Sequence, residues 1–189
     1  MNLLDSLALR YGSDKCPRIK HSYTEFYYEL FKDRRKSVKK VVEIGIGSPE
    51  NMNHYPGYKM DASLYMWRDF FPNAQIYGAD ILPELMFEDR RIKTFVCDQT
   101  ISMELVRLIK QTGSDIDLFI DDGCHDPMVQ LFTCLTVVPL LDKKSVYVTE
   151  DVGRIGIIEE LRHFSAQKIT FPGKASRDDR LIMIRRDNG

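Results

Sequence analysis

Five short apolar segments, each ending on an acidic residue or a glycine, recur along the chain at 41–45, 74–80, 92–98, 116–122 and 145–151 (VVEIG, AQIYGAD, IKTFVCD, IDLFIDD and SVYVTED). Near-continuous apolar strands of this kind are covered on both faces, which predicts a parallel sheet. Helical patterns separate them at 62–71, 101–113, 127–141 and 154–164. Pro72 stops the first of these, Gly113 closes the second, and Pro127 opens the third. Alternating strands and helices predict a doubly wound α/β sheet with right-handed crossovers. The segments at 166–171 and 180–186 follow one another without a helix and predict a C-terminal antiparallel hairpin, giving a mostly parallel, seven-stranded Rossmann-like sheet. We read residues 1–189 as one domain, with a helical N-terminal segment over 1–40 and the core over 41–189. The basic run at 32–40 reads as a solvated connector.

With 189 residues, 43% of them hydrophobic, the chain can bury a sizeable core. A net charge of −1 implies neither a nucleic-acid nor a membrane surface. The start lacks a basic n-region, so no secretory signal is expected. The four cysteines form no CxxC pair, which fits reduced thiols and a cytoplasmic location. Cys124 reads as a small residue filling a turn.

In doubly wound folds, ligands sit beyond the carboxyl ends of the strands. The first strand runs into a turn with Gly45 and Gly47, which permits close approach of a ligand to the backbone. A dinucleotide fingerprint would need a third glycine at position 50, where Glu50 stands. Asp80 ends the second strand, where a carboxylate can accept both ribose hydroxyls. Asp98 and Gln99 end the third, where an adenine edge can be read. One acid alone is equally an ordinary solvated strand end; the set after a GxG turn points to a nucleoside.

These residues resemble a family. EIGIG, YGADI, CDQT, IDDGCH and TED, in this order, look like a class I S-adenosylmethionine (SAM) dependent methyltransferase. More narrowly, YGSDK, ASLYMWRDFFP, DDGCH and the late ED pair resemble the macrocin and mycinamicin type sugar O-methyltransferases. The resemblance implies that Gly45 and Gly47 line the methionine moiety, with Glu43 beneath the turn. It implies Asp80 at the ribose, Asp98 and Gln99 at the adenine, and Tyr11, Ser13 and Lys15 closing over the cofactor. Ser63 and Trp67 would line the same pocket. One departure is visible: Asp61 and Ala62 stand where the family has a glycine pair.

The fourth and fifth strands should be neighbours, so Asp122, Glu150 and Asp151 converge at the carboxyl edge. Their repulsion calls for a cation. All-oxygen ligation favours Mg²⁺, with Mn²⁺ as the substitute. A divalent ion lowers the pKa of a sugar hydroxyl, and His125, three residues beyond Asp122, can take its proton as general base. Asp126 before Pro127 reads as a helix cap, and Asp121 should face away from Asp122. His21 and the stretch at 54–59 fall in expected loops near the substrate mouth, and residues 48–60 and 172–179 are the expected acceptor loops. The expected acceptor is a sugar-bearing small molecule or glycan, and a homo-oligomer is open. The rival readings are an NAD-type oxidoreductase, a non-catalytic SAM-binding module and a catechol-type O-methyltransferase.

Overall fold

The computed structural model describes residues 1–47, 60–153, 160–161, 164–171 and 179–185. Glu50, the aromatic stretch at 54–59, His163 and most of the helix expected at 154–164 lie outside them.

Two helices open the chain. Helix α1 (Leu3–Tyr11) begins with a capping box, in which the Asp5 backbone N–H donates to Asn2 Oδ1 at 2.8 Å and the Asn2 N–H donates to Asp5 Oδ2 at 3.0 Å. Gly12 ends it in the left-handed region. Helix α2 (Tyr23–Phe31) buries Tyr23, Tyr27 and Phe31, which recur every four residues and so share one face.

The core follows as β1 (Lys40–Ile44), α3 (Ala62–Phe70), β2 (Gln75–Asp80), β3 (Glu88–Asp89), β4 (Ile92–Val96), α4 (Ser102–Thr112), β5 (Leu118–Asp121), α5 (Pro127–Val137), β6 (Val146–Thr149), β7 (Ser165–Thr170) and β8 (Arg180–Arg185). The strands form one sheet in the order β3-β4-β2-β1-β5-β6-β8-β7. Strands β4, β2, β1, β5 and β6 are parallel, and β7 and β8 form the expected antiparallel hairpin.

Among the described residues the sheet has eight strands, against the seven expected. The extra one, β3, is two exposed acidic residues paired antiparallel with β4, too short and too polar to announce itself as a strand. The helix expected over 127–141 ends sooner, because Pro139 follows Val138 in a 3₁₀ turn at Val138–Leu140. Both sheet faces are covered. One buried cluster joins α1, α2 and α3 to the sheet, and the other joins α4 and α5.

The chain turns back at the β1/β5 boundary, so the crevice of a doubly wound sheet opens there. The strand ends are level across that boundary, with Ile44 beside Asp121 and Asp121 beside Thr149. The next residues continue the ladder: Asp122 N–H donates to the Ile44 carbonyl, and Glu150 N–H donates to the Asp121 carbonyl, both at 2.9 Å. Gly45, Asp122 and Glu150 therefore leave the sheet side by side. Among the described residues no helix is long and apolar enough to cross a membrane.

Candidate active site

A cavity of about 530 Å³ opens over these strand ends. Its wall includes Ser13, Lys15, Gly45, Gly47, Ser63, Asp80, Asp98 and Gln99 together with Asp122, His125 and Asp151. Asp14, Lys20, Ile81, Leu82 and Thr100 complete much of the lining, and none of them was singled out from the sequence.

The glycine turn is forced by backbone crowding. Gly45 has φ +82°, and a Cβ there would lie 2.1 Å from the Asp122 carbonyl oxygen and 2.5 Å from Gly123 Cα. The β1 and β5 loops thus cross in contact, which only glycine allows. Asp80 steadies the turn: its carboxylate accepts from the N–H of Ile46 and of Leu82, both at 3.2 Å. Asp98 Oδ1 accepts from the backbone N–H of Thr100 at 2.8 Å and from its hydroxyl at 2.6 Å. Asp61 takes a left-handed φ of 59°, a conformation that aspartate tolerates better than most residues.

Trp67 and Tyr11, expected at the cofactor, are absent from this wall, and Glu43 lies beneath the turn as expected. Trp67 is fully buried and donates its indole N–H to Glu43 Oε2 at 3.1 Å, so both form a floor under the turn. Tyr11 donates to Asp69 Oδ2 at 2.5 Å and stacks on Tyr65. Gln99 reaches the cavity but commits its amide elsewhere. It donates to Asp121 Oδ1 at 2.9 Å and Thr133 Oγ1 at 3.0 Å, and accepts from the Cys124 N–H at 2.5 Å.

The acidic residues divide. Asp121 is buried and bonded to Gln99 and Tyr147, and burial pushes its carboxyl up to about 7. Asp122, His125 and Asp151 each offer one ligand atom, and these atoms lie within 4.8 Å of one another. His125 Nε2 is 3.6 Å from Asp122 Oδ1 and 3.5 Å from Asp151 Oδ2. A hydrogen bond to Asp122, together with the charges of Asp122 and Asp151, raises its pKa against the opposing effect of burial. Asp122 is held well below the usual carboxylate range, despite burial, by Lys15 and His125. Asp151 is pushed up to about 6 by burial and by the Asp122 charge.

Glu150 lies outside this donor group. Its carboxylate accepts from Lys15 Nζ at 2.5 Å and from the Tyr27 hydroxyl at 2.6 Å, fully buried. Adjacent residues leaving a strand point apart, and Asp151 additionally has a left-handed φ of 50°. Its carboxylate meets Tyr23, which donates its hydroxyl to Oδ1, and His21, whose Nε2 lies 3.4 Å from the same oxygen. His21, expected in a loop near the substrate mouth, is 3% exposed and also contacts Asp179 through Nδ1 at 3.3 Å. The four-residue spacing of Tyr23 and Tyr27 was a legible signal for one helix face. No local pattern marked His21 or Asp179. Asp126 caps α5, accepting from the N–H groups of Met128 and Val129 at 2.8 and 3.3 Å.

No protein-family model matches the chain. The chain is 36% identical over 149 residues to the 8-demethyl-8-α-L-rhamnosyl tetracenomycin-C 2′-O-methyltransferase of Streptomyces olivaceus, covering 79% of this chain and 37% of that protein. It is 33% identical to the mycinamicin VI 2″-O-methyltransferase of Micromonospora griseorubida, covering 79% of this chain and 36% of that one. The chain thus spans little more than a third of the length of these curated relatives. It superposes on the MycE methyltransferase of the mycinamycin biosynthetic pathway, solved in complex with Mg and SAH, with a TM-score of 0.78 and 25% identity. That match covers 98% of this chain and 56% of the other. The fold is that of a class I methyltransferase, and the chain is similar to sugar O-methyltransferases of macrolide and tetracenomycin pathways.

Proposed function

We propose that residues 1–189 form the catalytic domain of a SAM-dependent, metal-dependent O-methyltransferase that acts on a sugar hydroxyl of a glycosylated natural product or glycan. One observation carries this reading. The Gly45 turn and Asp80 open onto the same cavity as the Asp122, His125 and Asp151 donor group. A methyl donor and a hydroxyl activated by a cation would then meet in one space.

The residues fit both partners. The cavity has the size of a small-molecule site, with Ile44, Ile46, Ile81 and Leu82 as apolar walls beside Asp80 and Asp98. Asp80 would accept the ribose hydroxyls, Gly45 and Gly47 would admit the methionine end, and Asp98 would face the adenine. The N-terminal segment over 1–40 would cover the cofactor, with Ser13 in its wall. For the cation, the two mutually repelling carboxylates of Asp122 and Asp151 suit Mg²⁺ or Mn²⁺, with the His125 imidazole left beside it for the proton. Asp122 and Asp151 would hold it, and Glu150 would add charge from beneath. A bound divalent ion supplies positive charge that acidifies an acceptor hydroxyl and cancels the carboxylates' hold on the His125 proton.

We assign the proton to His125. Half of its side chain is exposed to the cavity, whereas Asp122 and Asp151 are anchored by Lys15, Tyr23 and His21. His125 Nε2 would take the hydroxyl proton as the oxygen attacks the SAM methyl, and S-adenosylhomocysteine would leave. Fixed residues around the cavity supply orientation. The reaction would take place in the cytoplasm, which matches free cysteines at 16, 97, 124 and 134.

Labelled methyl transfer from SAM to a panel of deoxysugar and hexose glycosides tests the function. Transfer should stop in EDTA and return with Mg²⁺. Undiminished transfer in EDTA would remove the cation, and transfer to catechols alone would replace the acceptor. Asp80→Ala should weaken S-adenosylhomocysteine binding by about ten- to a hundredfold in calorimetry, the loss expected for hydrogen bonds to a charged group. Unchanged affinity would mean that the ribose lies elsewhere.

A further inference from the structure

Lys15 lies under the acidic edge. Its Nζ is 2.5 Å from Asp122 Oδ2, 2.5 Å from Glu150 Oε2 and 3.1 Å from Glu43 Oε1, and the residue is 2% exposed. The first two contacts each join the ammonium to a carboxylate oxygen, the pairing that makes charge-assisted hydrogen bonds the strong ones. A buried ammonium needs counter-charges, and buried carboxylates need a cation, so neither side is stable alone. The lysine is also fastened to α2, because the Thr24 backbone N–H donates to its carbonyl at 3.0 Å.

We propose that Lys15 is a built-in counter-cation of the acidic edge, a positioning residue that fixes Asp122 and Glu150 and docks the N-terminal segment onto the strand ends. Asp122 is shared between two surroundings. Its Oδ2 faces Lys15, and its Oδ1 faces His125 and the cavity. Lys15 thereby orients one oxygen toward the donor group, and its positive charge offsets part of the field there. The inference rests on the cation-site reading for the identity of that group, but the charge pairing stands apart from it.

The sign of the effect separates this role from plain structural support. If Lys15 neutralises the edge, Lys15→Met leaves extra negative charge beside Asp122. Mn²⁺, titrated by electron paramagnetic resonance without SAM, should then bind about tenfold or more tightly. A merely structural lysine would give weaker binding on removal, because the donor group would loosen. Unchanged or weaker Mn²⁺ binding in folded Lys15→Met overturns the proposal.

Thermal midpoints in EDTA supply the second arm. Lys15→Met should be destabilised by several degrees, or fail to fold. Lys15→Met/Glu150→Gln, which removes a carboxylate together with the ammonium, should recover part of that loss. A double variant no more stable than the single one, or unfolded alongside it, overturns the proposal. This arm needs neither cation nor cofactor. Wild-type protein that binds no Mn²⁺ would therefore sink the cation site while leaving the Lys15 pairing to be decided by the stability comparison.

Discussion

His125→Ala should lower methyl transfer by about 10²–10⁴-fold, the range for loss of a positioned general base. S-adenosylhomocysteine affinity should stay unchanged, because the nucleoside contacts are assigned to Asp80 and Asp98 and not to His125. Mn²⁺ titration decides how the loss is read. If the imidazole serves only the proton, the cation should bind the variant with no more than the roughly ten- to hundredfold loss of a residue that hydrogen-bonds a ligand; a loss beyond about a hundredfold makes His125 a ligand and overturns its assignment as base. Near-normal turnover would remove it from the chemistry altogether. The pH dependence has a definite sign. Asp122 and Asp151 hold the His125 pKa above its ordinary value of 6.5, which delays appearance of the neutral base. Adding Mg²⁺ should move the rising limb of the pH–rate profile to lower pH, since the carboxylate charge that raises the pKa is then compensated. A limb that stays fixed across Mg²⁺ concentrations would mean that another group titrates.

Gly45→Ala should be the most damaging single methyl in the core of the site. The added Cβ would lie 2.1 Å from the Asp122 carbonyl oxygen and 2.4 Å from its carbon, and both are backbone atoms. A φ of +82° adds conformational strain for any residue with a side chain. Relief requires the β1 and β5 loops to part at the switch point. We expect a loss of about 3 kcal/mol or more in denaturant unfolding. Cofactor binding should fall together with the Asp122 position, because the same contact sets both. A variant with native stability and native S-adenosylhomocysteine affinity would show that the crossing is not tight in solution.

The parallel sheet and its polar edge were legible because each strand is a short apolar run with an abrupt polar end. Burial on both faces demands such runs. Asp126 was readable as a cap from its place before Pro127, since capping is a local hydrogen-bonding event. β3 was not readable: Glu88 and Asp89 carry no strand signal and pair only because β4 presents a free edge. Gln99 shows a different limit. Its position at a strand end suited an adenine contact, yet its amide joins Asp121, Thr133 and Cys124, a choice made by neighbours 22 to 34 residues away.

The three carboxylates at the sheet edge mark the division most sharply. The sequence alone determined that Asp122, Glu150 and Asp151 arrive together, because hydrophobic patterning fixes strand ends and sheet order sets them side by side. It also placed His125 near them, three residues along one loop. Only the tertiary structure decided which way each points. Asp122 and Asp151 face His125, while Glu150 turns down to Lys15 and Tyr27, partners 135 and 123 residues distant in the chain. Beyond the last ladder bond, side-chain direction no longer follows strand alternation. There it follows the charges and hydroxyls that packing delivers, and a buried ammonium must be met by carboxylates.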